Sequence, residues 1–401
     1  MINTIRIQEP STFAKTTHSI LKRTQNRNMA LQLWSIQPLK GARFALFFLL
    51  MPIRLMTLSV VYILVKPLRP VREWGVLQCL GRAYLKSYFH LVSVTRHQSG
   101  EQLVRPKSIG AEFLTINPHA DQGFLPELFK PQNIQPTAVP ALWFRGRDRP
   151  SAVKLSEEQK LVLHFPGGAF VLPIATNVVG EGVAALMAEH MAAGTLFTQY
   201  RISCSMDTRF PAAIQDIITT YHHVINAGLD PKRIILSGDS AGGNLVIAVL
   251  RYLESQDQLP LPSGAMAFSP PVHVTSHARE DYESYQNSIK DILTPSLVQW
   301  AAEAYLPKQD AAYENEARPF FSPLHHPFST RVPLFIHTGK KEAFHASIQS
   351  FYEEMSQIPG NRIRLHESDL APHDICLTHK LLGFTSEIGE AVRDARIFFD
   401  G

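Results

Sequence analysis

The sequence is poor in the features that mark several protein classes. Cysteine is nearly absent: Cys79, Cys204 and Cys376 lie far apart, form no Cys-x-x-Cys pair and are odd in number. That argues against a disulfide framework or a cysteine zinc site and predicts three buried or inert thiols. Charge is sparse as well, at 18% of residues, and 39 basic against 35 acidic side chains leave a formal charge of only +4. An excess so small and so spread is no footprint for nucleic acid. No repeat of 20–50 residues is visible. No cluster of His, Asp or Glu has metal-ligand spacing, so no metal is expected. No apolar run follows the first few residues, so a cleavable secretory signal is not expected.

Acidic residues are nearly missing from the start of the chain. Residues 1–72 carry eleven Lys or Arg against the single acid Glu9. The first 30 residues are polar, basic and poor in aromatics, and residues 1–40 are expected to be a weakly structured segment. Residues 41–72 form a second, apolar unit around the 22-residue run 44–65, FALFFLLMPIRLMTLSVVYILV. As a helix this run is long enough for a hydrocarbon core of about 30 Å. Arg54 at its centre costs ~2.5–3.5 kcal/mol on an insertion scale, but each Leu, Phe, Ile or Val returns ~0.3–0.6. With fourteen such residues the sum favours insertion. Two readings follow: a membrane-associated segment, single-pass or monotopic and compatible with the endoplasmic reticulum, or a pair of helices split at Pro52 that cover a cytoplasmic protein. Residues 75–94 show apolar positions at helical spacing and read as an amphipathic helix lying on the body.

From about residue 105 the pattern changes. Short apolar runs at Ala111–Asn117, Ala138–Arg145, Lys160–Phe165, Leu196–Ile202, Arg233–Ser237, Gly264–Phe268, Pro333–His337 and Arg362–His366 read as strands. Helical patterns separate most of them, at 178–193, 211–227, 245–253, after 337 to about 355, and at 385–399. Strands alternating with helices imply βαβ units and an α/β fold, with a mostly parallel sheet and helices on both faces.

The strongest chemical signal is Ile234-Ile235-Leu236-Ser237-Gly238-Asp239-Ser240-Ala241-Gly242-Gly243. It places Gly-x-Ser-x-Gly between an apolar strand and an apolar helix. Small residues must flank a serine on so sharp a turn, which exposes its hydroxyl at the helix N-terminus, where N–H groups favour negative charge. A second motif, His164-Phe165-Pro166-Gly167-Gly168-Ala169-Phe170, also follows a strand and precedes a helix.

These residues resemble the hormone-sensitive lipase branch of the α/β-hydrolases, which includes arylacetamide deacetylases. Residues 238–243 match its GDSAGG without change. The 166–169 segment resembles its HGGG loop, with Pro166 where the branch has His and Ala169 for the third Gly; this PGGAF variant is similar to fungal members. Tyr200-Arg201, Phe210-Pro211-Ala212-Ala213 and Asp216 resemble its YRLAPE…FPAA…D stretch, although LAPE is replaced by Ile202-Ser203-Cys204-Ser205. Ser322-Pro323-Leu324 before Pro333 is similar to its SPL…P segment. The resemblance spans about residues 105–400 of a catalytic domain at 73–401. It implies an α/β-hydrolase fold with a helical cap, supplied about 272–330 and by residues 1–100. It also implies an oxyanion hole from the N–H groups of Gly167, Gly168, Ala169 and Ala241. No cofactor is implied.

The order nucleophile, acid, histidine in such folds points to Ser240, then an acid, then His373, which sits between the last strand and the last helix. Glu342 follows strand PLFIHT in a Gly-x-x-Glu pattern, 31 residues before His373. Asp374 is the alternative acid. His325 and His326 precede the acid and are taken as structural. The leading expectation is a serine carboxylic ester hydrolase acting on small hydrophobic esters, such as acetates of sterols or secondary metabolites. An acyltransferase using the same acyl-enzyme, or a non-catalytic binding protein, remains open from the residues alone.

Overall fold

The computed structural model describes residues 33–96, 111–144, 159–173 and 177–401. The basic segment 1–30 lies outside them.

Two strands fix the architecture. β3 (Leu161–Phe165) and β5 (Ile234–Asp239) are buried at every position. Strands of this kind belong at the centre of a parallel sheet covered on both faces. They are parallel neighbours, with Leu161 opposite Ile234 and Phe165 opposite Gly238. β1 (Ala111–Ile116), β2 (Val139–Phe144), β4 (Gly194–Thr198), β6 (Gly264–Phe268), β7 (Leu334–Gly339) and β8 (Ile363–Ser368) complete an eight-stranded sheet of order β1-β2-β4-β3-β5-β6-β7-β8. β2 is antiparallel to β1 and β4; every other pair is parallel. The expected mostly parallel α/β fold is the one observed.

Helices cover the sheet in two groups. α3 (Asn177–Met191), α10 (Ile375–Leu382) and α11 (Thr385–Asp400) pack together; α4 (Ala212–Asn226) packs on α5 (Ala241–Glu254), which runs along β5 and β6. α5 is buried at nearly every position. α9 (His345–Ser356) links β7 to β8.

Over the carboxyl ends of the strands lie α6 (Ala278–Ser284), α7 (Pro295–Tyr305) and α8 (Ala311–Phe321). The sequence starts the last two of these helices with local devices. Thr294 accepts from Leu297 N–H at 3.2 Å ahead of Pro295, and Asp310 accepts from Tyr313 N–H at 2.9 Å. Each cap is worth about 1 kcal/mol.

At the other end of the chain, α1 (Leu39–Leu64) packs on α2 (Val76–Val94), which in turn packs on α7 and α10. α1 runs unbroken through Pro52, so the split into two helices that the second of the two readings held does not occur. A proline removes only one backbone hydrogen bond, and the packing of Phe47 against Tyr84 and Tyr88 continues on the preceding turn.

One strand differs from its expected span. β4 ends at Thr198 rather than Ile202, because the next residues leave the sheet to make side-chain bonds. Tyr200 donates to Pro166 C=O at 2.6 Å, and Arg201 meets the buried Asp216 at 2.8 Å.

Candidate active site

Ser240 sits between β5 and α5 with φ +48° and ψ −118°. A non-glycine residue held there stores about 1–3 kcal/mol of strain, and the surroundings must enforce it. The flanking glycines show how. A Cβ on Gly238 would lie 2.4 Å from the Gly242 carbonyl carbon, and one on Gly242 would lie 1.8 Å from Phe165 O. The turn is thus wedged against both its own helix and the end of β3.

A continuous hydrogen-bonded chain starts at the serine. Ser240 Oγ is 2.8 Å from His373 Nε2, and His373 Nδ1 is 2.7 Å from Glu342 Oε2. His373 and Glu342 are buried. Glu342 Oε1 accepts from Gly339 N–H at 2.9 Å and from the Thr338 hydroxyl, so the carboxylate is held at both oxygens. Burial by itself lowers the His373 pKa, but the hydrogen bond and charge of Glu342, helped by Asp291 and Asp374, outweigh it and raise it to about 9.

Asp374 is not in the chain to the imidazole. Its carboxyl caps α10 by accepting from Leu377 N–H at 3.2 Å, and it bonds to Asp239. Burial raises the pKa of both acids, Asp374 well above its usual range and Asp239 to about 6. The neutral Asp374 therefore donates and Asp239 accepts. Asp239 also takes Gly167 N–H at 2.8 Å and His164 Nε2 at 2.8 Å, while His164 Nδ1 meets Ser237 Oγ at 3.0 Å. Burial lowers the His164 pKa to about 3, so its ring is neutral, donating through Nε2 and accepting from the Ser237 hydroxyl at Nδ1. His164, Asp239 and Cys376 come together as a buried trio. His164 and Asp239 are bonded to each other and to Ser237 and Gly167 in a locked polar network, with the Cys376 thiol beside them.

This network corrects one expectation. The Gly167 N–H, expected among the oxyanion donors, is bound to Asp239 Oδ2 and so points away from that role. Among the described residues the N–H groups of Gly168, Ala169 and Ala241 have no hydrogen-bond partner, and Gly168 and Ala169 line the same cavity as Ser240 and His373. The loop that carries them is anchored without the imidazole that Pro166 replaces, through His164 and Asp239 at Gly167 and through Tyr200 at Pro166.

Asp291 has no sequence signal. It is fully buried, with Oδ1 accepting from His373 N–H at 3.0 Å and Ile292 N–H at 2.7 Å and Oδ2 from Ala343 N–H at 2.9 Å. It thereby ties the histidine loop to the Glu342 loop. A lone acid between Lys290 and Ile292 could not have announced this, since both its partners are distant in sequence. His325, as expected, is away from the chain and pairs with Glu354 at 2.7 Å. Cys79 and Cys376 are buried, whereas Cys204 is exposed.

Ser240 and His373 open into a cavity of about 80 Å³. Its walls are mostly apolar: Phe170 and Leu172 from the oxyanion loop, Phe89 from α2, Leu297 and Val298 from α7, and Phe344. Segments 272–330 and 76–94 therefore both contribute cover, and α1 lines no part of this cavity.

A family model described as α/β hydrolase fold matches residues 162–377. The chain belongs to the α/β-hydrolase fold family. A hormone-sensitive lipase of Ictidomys tridecemlineatus is 30% identical over 176 residues, covering 43% of this chain and 21% of that one. The chain is 27% identical over 197 residues to an acetyl-hydrolase of Streptomyces hygroscopicus, covering 47% of this chain and 59% of the relative. It is 25% identical over 269 residues to an esterase of Acinetobacter venetianus, covering 66% of this chain and 84% of that one. The solved structure of an esterase from the bacterial hormone-sensitive lipase family superposes with a TM-score of 0.58 at 20% identity, covering 81% of this chain and 97% of that one. The chain thus spans under two thirds of the Streptomyces relative, and its Ser240 elbow and 166–169 loop lie inside the residues that the family model matches.

Proposed function

We propose that the protein is a serine carboxylic ester hydrolase. The observation that carries this reading is the unbroken chain Ser240–His373–Glu342, at 2.8 and 2.7 Å, ending in an apolar cavity. Ser240 Oγ attacks the ester carbonyl and passes its proton to His373 Nε2. Glu342 holds the ring in the tautomer with Nδ1–H and stabilises the imidazolium. The tetrahedral oxyanion is held by the N–H groups of Gly168, Ala169 and Ala241. His373 then protonates the departing alcohol, and water, deprotonated by the same ring, releases the acid from the acyl-enzyme.

The substrate is proposed to be a short-acyl ester of a lipophilic alcohol, a sterol or secondary-metabolite acetate being typical. The cavity, at about 80 Å³, is roughly half the ~150 Å³ that takes up benzene in an engineered protein core. It suits an acetyl or similar group and not a long chain, and a relative carries the name acetyl-hydrolase.

We further propose that residues 44–65 hold the enzyme on a membrane in the plane of the interface. The helix Leu39–Leu64, which holds all of them but Val65, has a mean hydropathy of 2.1 over its most apolar window and is long enough to cross a bilayer. Its packing supports lying flat instead. Phe44, Phe47, Met51, Leu58 and Tyr62 face the body, while Leu49, Ile53, Met56, Val60 and Ile63 are exposed at intervals of three or four. An apolar stripe along one side, with a protein along the other, is the pattern of a monotopic helix.

Hydrolysis of p-nitrophenyl esters of graded chain length tests the reading. Turnover highest at acetate to butyrate is expected. No release from any ester by the folded protein would overturn it.

A further inference from the structure

A second, larger cavity, of about 640 Å³, lies away from Ser240 in the groove between α1 and α2. Its lining is unusual in charge. Arg43 and Arg54 come from α1, Arg82 and Lys86 from α2, and apolar Leu46 and Leu50 lie between the two arginines. Arg43 and Arg54 are eleven positions apart, about three turns, so they share one side of the helix and sit about 16 Å apart along it.

Among the described residues none of these four cations forms a salt bridge. Arg54 Nη1 donates to Ser87 Oγ at 2.7 Å, and Arg43 stacks over Trp34 at 4.8 Å. Arg82 and Lys86 are turned to the 288–291 segment: Arg82 donates from Nε to Lys290 O at 3.0 Å and from Nη2 to Ile289 O, and Lys86 Nζ donates to Ser288, Ile289 and Asp291 O at 2.7, 3.2 and 3.1 Å. Asp291 acts on both electrostatically, but its carboxylate is committed to the N–H groups of Ile292, Ala343 and His373. Burial, and then the neighbouring Arg82, lower the Lys86 pKa to about 8. Clustered, half-desolvated cations that outnumber their one neighbouring acid are a cost that a bound anion lowers.

The position of the groove identifies the anion. On the helical wheel of α1, Arg43 and Arg54 fall between the side that packs on α2 and the exposed stripe of Leu49, Ile53, Met56 and Val60. With that stripe in the acyl region, the groove lies at headgroup depth. We infer that the groove binds the phosphate of an anionic glycerophospholipid, with the guanidinium of Arg54 at the phosphate, Arg43, Arg82 and Lys86 extending the positive field, and the first acyl methylenes along Leu46 and Leu50. This inference rests on the in-plane membrane reading.

Flotation of the full-length protein with vesicles separates the two. Vesicles of phosphatidylcholine alone are compared with vesicles containing one-fifth phosphatidylserine. Wild type is expected to bind both, the anionic ones about tenfold or more tightly, since each cation near the surface contributes appreciably. The double variant Arg43→Gln, Arg54→Gln should lose most of that preference and keep its binding to neutral vesicles. The control Lys66→Gln, Arg72→Gln removes the same charge from exposed positions outside the groove and should keep the preference. Equal binding of wild type to both vesicles, or equal loss in both double variants, overturns the headgroup site while leaving the membrane reading standing. No binding of wild type to either vesicle overturns both. Inorganic phosphate supplies the remaining arm. If millimolar phosphate raises the Tm of wild type but not of the groove variant, and vesicles show no anionic preference, the site is for a free anion and the lipid assignment is wrong.

Discussion

Asp374 donates a hydrogen bond to Asp239, so the residue after the histidine is bonded to the residue before the serine. The two halves of the site are therefore joined twice, once through Ser240 and His373 and once behind them. Asp374→Asn keeps a donor for Asp239 and an acceptor for Leu377 N–H, and should leave most activity in place. Asp374→Leu strips Asp239 of that donor inside the core, and a loss of stability of about 1–3 kcal/mol is expected. Thermal denaturation and ester turnover of both variants check this. Equal damage from Asn and Leu would mean that the hydrogen bond is not what matters.

Ser240→Ala should reduce ester turnover by several orders of magnitude with little change in Tm. His373→Ala should do as much. The combined variant should be little worse than either, because triad members act as a unit. Multiplicative losses in the double variant would contradict the assigned chain.

Glu342→Gln replaces the acceptor at His373 Nδ1 with a group that can donate, favouring the wrong tautomer. kcat should fall by about 10⁴ while KM changes little, as in the serine protease case. Steady-state kinetics decide it: a Gln variant retaining most of its kcat would remove Glu342 from the acid role.

The pH profile follows from the raised pKa of His373, about 9. The ring must be neutral to accept the serine proton, so kcat/KM should rise about tenfold per unit through neutral pH and level off near 9. Stability runs the other way. A histidine raised above its usual 6.5 contributes stability fully below that value and loses it as pH climbs through about 9. A kcat/KM profile already flat at pH 7 would show that Glu342 and its neighbours raise the base far less than this geometry implies.

Much of this site was legible in the sequence because its parts are local. The elbow is six consecutive residues whose strand and helix are adjacent to it, and His373 and Glu342 each follow a recognisable apolar strand. What was not legible depends on contacts between distant segments. Asp291 reads as an isolated acid, yet it binds loops more than 50 and 80 residues away. Gly167 looks like any glycine of its loop until Asp239, 72 residues on, is seen to take its N–H. The run through Ile202 continues the apolar pattern of β4, and only Asp216 and Pro166 reveal why it leaves the sheet. The side of α1 that packs inward is likewise set by the tyrosines of α2, which periodicity within α1 does not contain.

Gly242→Ala tests how the elbow is wedged. The added methyl group would sit 1.8 Å from Phe165 O, which is backbone and cannot rotate away. Destabilisation of about 3 kcal/mol or more, a Tm drop of roughly 5–10 °C, and loss of activity are expected. An active Gly242→Ala enzyme with unchanged Tm would show that β3 and α5 can separate freely.

Helix α2 is a wall with two sides. Phe89 lines the catalytic cavity, and its neighbours Lys86 and His90 line the groove beside α1. For an enzyme docked through that groove, a single helix, roughly 10 Å across, separates the bilayer face from the wall of the catalytic cavity. A lipophilic ester need never equilibrate with bulk water before it is cleaved. Turnover then follows the mole fraction of substrate in the membrane, so adding inert lipid at constant total substrate slows the reaction, whereas diluting the whole suspension with buffer does not as long as the enzyme stays bound.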